Sequence, residues 1–251
     1  MKILAVQNRK GIGDTVIFLP FIKAISDKYS TPIDILVREN SKAEQFLMDT
    51  KYINNIHILA RNDLSNGKHD GLFGALKLIK YLKSKSFDKI FIFNSSLRFN
   101  LIARFSGIKE IFQYPLFNKK KQHITGTAKL FLENTLNIKS FSDPNIEINK
   151  IDTELAKTKF NINKDDLNIL MGIGGSGPTK RIPAKIFIKF IEKIVSAKKC
   201  KFFLATGKNE DEQKILKEII KTKLSDLCVS LDDLSIRDNL PVIQNRNVAV
   251  C

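Results

Sequence analysis

Carboxylates are scarce in this chain: 26 Asp and Glu stand against 42 Lys and Arg, a formal net charge of +16. Such an excess points to nucleic acid, an anionic membrane surface or an acidic small-molecule substrate. The cations are mostly lysines spread over helix faces among Ile and Asn, a pattern that compositional bias also produces. No Arg-rich helix and no basic-aromatic RNA-binding signature occurs, which argues against specific nucleic-acid readout. Cysteine is sparse too. Cys200, Cys228 and Cys251 are odd in number, scattered and without nearby His, so they read as reduced thiols, not as disulfides or metal ligands. No apolar run reaches the roughly 18 residues of a membrane span. Met1-Lys2 leads straight into an apolar run without signal-peptide architecture, and a cytoplasmic location is expected. Glycine motifs are incomplete: no G-x-x-x-x-G-K-[ST] occurs, and Gly11-x-Gly13 is followed by Val16 or Phe18 where a dinucleotide fingerprint needs its third glycine. A P-loop and a nicotinamide site are therefore not supported.

What is present is ordinary globular material, 251 residues with 43% hydrophobic and 27% charged content, enough for one large domain or two smaller ones. The first twenty residues organise the rest. Ile3-Leu4-Ala5-Val6 reads as a strand, Gly11-Ile12-Gly13-Asp14 as a turn, and Thr15 to about Tyr29 as a helix, the opening of an open α/β domain. Gly11 and Gly13 let backbone approach whatever lies above the strand's carboxyl end, where ligands of such sheets bind. Asp14 then has the placement of a catalytic carboxylate; the plainer reading is a first-turn acid stabilised by the helix dipole.

Alternation of strand and helix continues. Strands are expected at 32–37, 56–59, 87–93 and 110–114, and helices from Ser41, over 72–85, over 97–106 and from His123 to Leu136. The pattern predicts a mainly parallel sheet covered on both faces. Lys119-Lys120-Lys121 reads as a solvated loop, with contact to an anionic acceptor or membrane as the alternative. A boundary falls between Ser142 and Asp152, giving domains 1–150 and 151–251. The second domain restarts with a strand at 168–173, then Gly174-Gly175-Ser176-Gly177-Pro178-Thr179-Lys180-Arg181 ahead of a helix starting near Pro183. Glycines, hydroxyls and two cations before a helix N-terminus form a plausible diphosphate cradle. After a strand at 201–206, an acidic residue in Glu210-Asp211-Glu212 either accepts from ribose hydroxyls or serves as a helix N-terminal charge. A strand at 228–231, a helix over 235–245 and a strand at 247–251 follow.

Taken in order, these motifs resemble the bacterial lipopolysaccharide heptosyltransferases, glycosyltransferase family nine. The matching pieces are Ile3-Leu4 through Gly11-Ile12-Gly13-Asp14-Thr15-Val16 and Pro20, Phe87-Asp88-Lys89-Ile90 with Ser96-Leu97-Arg98, and Gly174 through Pro183. Phe203 to Glu212 fits as well, and so does Leu234-Ser235 running into Asn247-Val248-Ala249-Val250. The resemblance implies an α/β fold of GT-B type, two Rossmann-like domains with parallel sheets facing a cleft, the first for the acceptor and the second for the donor. It implies inverting, metal-independent transfer of a heptose from an ADP-sugar to an anionic lipopolysaccharide core, at the inner face of the cytoplasmic membrane. No cofactor is implied beyond the nucleotide-sugar donor. Asp14 matches the general base, and Lys180 matches the residue that offsets charge on the departing diphosphate. Ser176, Thr179 and Arg181 match phosphate-loop positions, and Asp211 or Glu212 the acidic nucleotide contact. Family members continue past the final strand, so the second domain is expected to be incomplete here and this form to transfer sugar poorly. The competing expectation is a non-enzymatic basic module that binds nucleotide, nucleic acid or membrane with strong salt sensitivity.

Overall fold

The computed structural model describes residues 1–61, 67–116, 123–174 and 181–250. The chain divides into two compact units, Met1–Glu147 and Ile148–Cys251.

In the first unit the elements are β1 (Ile3–Gln7), α1 (Ile12–Tyr29), β2 (Ile33–Arg38), β3 (Ile53–Leu59), α2 (Gly71–Lys85), β4 (Lys89–Ile92), α3 (Leu97–Phe105), β5 (Glu110–Gln113) and α4 (Ile124–Leu136). The strands pair in parallel in the order β3-β2-β1-β4-β5. Every residue of β1 is buried, as a central parallel strand covered on both faces requires. Leu78 and Leu82 of α2 and Phe99 and Ile102 of α3 pack on one face against Leu4, Val6 and Ile92. α1 and α4 carry an aromatic cluster instead. Phe18 meets Phe93 edge-on at 5.3 Å, and Phe93 meets Phe131 at 5.5 Å. Burying a ring such as Phe18, 1% exposed, contributes about 1.5–3 kcal/mol.

The second unit contains α5 (Lys150–Lys159), β6 (Leu167–Gly172), α6 (Ala184–Val195), β7 (Cys200–Ala205), α7 (Glu210–Ile220), β8 (Cys228–Ser230), α8 (Ile236–Gln244) and β9 (Val248–Val250). Its parallel sheet has the order β8-β7-β6-β9. Phe187 and Ile191 of α6 and Leu216 and Ile219 of α7 cover one face, packing against Ile169, Met171 and Phe202. Side-chain caps start α5, α7 and α8: Asn149, Asn209 and Ser235 accept from the amides of Ile151, Asp211 and Asp238.

Local expectations fail where a single residue changes the backbone. The helix expected from Ser41 is two isolated 3-10 turns, Glu39–Ser41 and Ala43–Gln45, because Lys42 between them is left-handed at φ 50°. β3 begins at Ile53, ahead of the expected Ile56, since Tyr52 and Ile53 already pair with Ile33. The helix expected to start near Pro183 does so at Ala184, with Pro183 as its cap in extended backbone at φ −61° and ψ 147°.

Candidate functional site

β1 has β2 on one side and β4 on the other, so the connections leaving it diverge between β1 and β4. At such a switch point the carboxyl ends of the strands open a crevice. A cavity of about 340 Å³ lies there, lined by Asn8 and Arg9 after β1, Phe93, Asn94 and Ser95 after β4, and Tyr114 after β5. The loops are held by name. Arg38 at the end of β2 donates from Nε to the Asn8 carbonyl at 2.9 Å. Gln113 donates to the carbonyls of Asn94 and Ser96 at 3.0 and 2.9 Å, and Asn94 Oδ1 accepts from the Ser96 amide at 2.9 Å.

Two polar atoms of this lining stand idle. Asn94 Nδ2 and Tyr114 Oη are buried and meet no hydrogen-bond partner among the described residues, and neither do the buried amide atoms of Gln7 at the end of β1. Burial raises the Tyr114 hydroxyl pKa far above that of a free phenol, so it stays a neutral donor and acceptor. Buried polar groups without partners are uncommon in native proteins, so the cavity offers a hydroxylated ligand groups with unused hydrogen-bonding capacity. Sequence reasoning placed Asn94, Ser95 and Tyr114 at strand ends and gave them no role.

Gly11, Gly13 and Asp14 come together at the start of α1. Gly11 is the cap, at φ 90° and ψ 163°, a region essentially confined to glycine. Gly13 has ordinary helical backbone, and a Cβ built on it would meet nothing within 4 Å. Neither conformation nor packing therefore demands glycine at 13, although glycine in a helix is unfavourable. Asp14 sits in that turn, its carboxylate half-buried and 3.9 Å from the guanidinium of the cavity residue Arg9.

In the second unit, Arg181 and the acidic run are brought together at the carboxyl ends of β6 and β7. Arg181 donates to Asp211 Oδ2 at 2.5 Å, while its buried Nε has no partner among the described residues. Asp211 and Glu212 divide into two tasks. Asp211 is the exposed partner of Arg181. Glu212 is 8% exposed and accepts the Gly207 amide at 2.8 Å. A Cβ on Gly207 would lie 2.7 Å from the Glu212 carboxylate and one on Gly174 3.1 Å from it, so the carboxylate is wedged between the β6 and β7 loops. Ser176, Thr179 and Lys180, with the rest of the expected phosphate loop, lie outside the described residues, as does the Lys119–Lys121 run. Among the described residues no group of three or more His, Cys, Asp or Glu is placed to hold a metal ion, and no helix is long and apolar enough to cross a membrane.

No family model and no curated protein matches this chain at the sequence level. Solved structures do match in fold. The chain is similar to the family 9 glycosyltransferase of Veillonella parvula, with a TM-score of 0.77, 15% identity and 99% of this chain covering 74% of that one. It is similar to the ADP-heptose lipopolysaccharide heptosyltransferase II of Escherichia coli, with a TM-score of 0.75, 14% identity and coverage of 99% and 78%. The E. coli heptosyltransferase WaaC with ADP-2-deoxy-2-fluoro heptose gives a TM-score of 0.69 at 13% identity, covering 99% and 82%. The fold is that of the GT-B glycosyltransferases, two open parallel α/β sheets carried on one chain.

Proposed function

We propose that the chain is an inverting glycosyltransferase that moves a heptose or related sugar from an ADP-sugar to a hydroxyl of a lipopolysaccharide core. The first unit holds the acceptor in the switch-point cavity, and the second holds the nucleotide sugar. Asp14 accepts the proton of the attacking hydroxyl. The oxygen bonds to the anomeric carbon from the face opposite the diphosphate, whose bond to that carbon breaks with the electron pair leaving on ADP. Lys180 and Arg181 balance the charge that develops there, and Ser176 and Thr179 hold the phosphates. Asp211 or Glu212 reaches the nucleotide, Asp211 being the more exposed of the two. Gly11 and Gly13 keep the approach to Asp14 open. The enzyme works without a metal at the inner face of the cytoplasmic membrane.

One observation carries this reading: Asp14 stands 3.9 Å from Arg9, which lines a cavity with unsatisfied polar atoms, in a heptosyltransferase-like fold. Calorimetry with ADP, ADP-heptose and a generic RNA tests it. Affinity for the two nucleotides and none for RNA is the expected result. Salt-sensitive RNA binding without nucleotide affinity favours the basic binding module, which the +16 charge also suits, and overturns the proposal. In turnover assays Asp14→Asn removes whatever transfer this form supports while leaving ADP affinity unchanged.

A further inference from the structure

We propose that the outer face of α2 and α3 is a docking surface for an anionic lipid bilayer. Six large apolar side chains of the two helices face solvent: Leu72, Phe73 and Leu76 on α2, and Leu97, Leu101 and Phe105 on α3. Phe73 is 80% exposed, Leu72 75% and Phe105 67%. They are not scattered. Leu97, Leu101 and Phe105 recur every fourth residue and so share one stripe of α3, as Leu72 and Leu76 share one of α2. Arg98 ties the two helix starts together, donating to the carbonyls of Gly71 at 2.8 Å and His69 at 2.7 Å. The Leu72-Phe73-Leu76 turn therefore lies beside the first turn of α3. Single exposed apolar residues need no explanation, whereas a contiguous apolar face marks a contact surface.

Charge selects the occupant. α2 carries Lys77, Lys80, Lys83 and Lys85, α3 carries Arg98 and Arg104, and neither helix contains an Asp or Glu. Two helices that expose Leu and Phe interleaved with cations and carry no carboxylate of their own, Glu44 being the acid in the groove beside Lys77 and Lys80, fit the interfacial zone of a membrane. There the rings and leucines enter the acyl boundary while lysine stems extend to the headgroups. The helices cannot turn to bury this face internally, since Leu78, Leu82, Phe99 and Ile102 on their inner sides are fixed in the core. The surface is also continuous with the candidate site. Asn94 and Ser95 line the cavity, Ser96 precedes α3, and Leu97 is exposed immediately beyond. A lipid-anchored acceptor would thus present its sugars where the sheet opens. This deepens the glycosyltransferase reading and rests on it for the identity of that acceptor.

Cosedimentation of the full chain with vesicles tests the surface without any turnover. The protein is expected to partition onto phosphatidylcholine vesicles containing about one third phosphatidylglycerol, less on pure phosphatidylcholine, and less again in high salt. Leu72→Ser/Phe73→Ser/Leu76→Ser should lower partitioning at least about tenfold. Lys77→Glu/Lys80→Glu/Lys83→Glu should lower it on the order of a hundredfold on the anionic vesicles. These positions are exposed, so both variants fold, which circular dichroism verifies. Equal partitioning onto neutral and anionic vesicles, or unchanged partitioning of either variant, overturns the proposal. It is equally overturned if light scattering finds a dimer that the serine variant dissociates, because a second copy then covers the face. ADP affinity measured on the same preparation reports separately on the sugar-transfer reading.

Discussion

Two glycines separated by one residue should respond oppositely to the same added methyl group. Gly11 and Gly13 each have nothing within 4 Å of a built Cβ, so neither substitution is opposed by packing. Only backbone conformation separates them. Gly11 sits at φ 90°, ψ 163°, where a side chain costs about 1–3 kcal/mol. Gly13 lies in the first turn of α1, where Ala is preferred to Gly by roughly 0.5–1 kcal/mol. For a chain of this size each kcal/mol moves the melting temperature by about 2–4 °C. Gly11→Ala should therefore lower it by roughly 2–12 °C and Gly13→Ala raise it by roughly 1–4 °C. Urea titrations with unchanged slope give the same ordering as shifts of midpoint alone. The functional half is independent. If glycine at 13 exists to let a ligand approach, Gly13→Ala yields a more stable protein whose sugar transfer falls about tenfold or more, a barrier increase of about 1.4 kcal/mol. A destabilised Gly13→Ala refutes the conformational argument, and a stabilised one with full turnover refutes the role assigned to that turn.

Gly74 offers a harsher version: a Cβ there would lie 2.3 Å from the backbone carbon of His69. Gly74→Ala should cost about 3 kcal/mol in urea unfolding, whereas Gly126→Ala in α4, with open space around it, should be neutral or stabilising. The buried Asp34 should make stability depend on acid. Burial alone would raise its pKa, but hydrogen bonds from His57 at 2.8 Å and Asn54 at 2.8 Å, with the His57 charge and Asn55, leave it below the usual carboxylate value. A depressed folded pKa means the stabilisation is full above the unfolded value near 3.9 and is lost as pH falls through the folded one. The urea midpoint should drop between about pH 5 and pH 2 and do so less in Asp34→Asn. In the second unit, Glu212→Ala should cost about 1–3 kcal/mol by leaving the Gly207 amide unpaired. Asp211→Ala, which removes the exposed member of a pair whose Arg181 side chain is mostly buried, should cost about 1–3 kcal/mol while weakening ADP binding measured by calorimetry.

The α/β fold was legible because its signal is repeated. Buried parallel strands read as short apolar runs such as Leu4-Ala5-Val6 and Ile90-Phe91-Ile92, and the helices between them show helical spacing, although of the Leu72, Ala75, Leu76, Ile79 and Leu82 set in α2 only Leu82 is fully buried while Leu72 and Leu76 face solvent. Where one residue decides the backbone, the pattern misleads: the capping-like Ser41-Lys42-Ala43-Glu44 stays in isolated turns because Lys42 is left-handed. The site is legible to a different depth. Gly11 and Asp14 become candidates through residue type at a strand-to-helix turn. Asn94 and Tyr114 do not, because an amide after a strand is ordinary loop chemistry until burial shows that its donor has no partner. The two adjacent acids carry equal weight as letters. Asp211 and Glu212 are successive residues of one helix, turned about 100° apart, so one meets Arg181 at the surface and the other is driven under the Gly207 loop. Deepest of all is strand order. That β1 lies between β2 and β4 is set by contacts such as Leu4 with Asp34 and with Ile90, far apart in the chain, and no local pattern encodes it. Yet that order opens the crevice, and so decides which strand-end residues become a site and which remain turns.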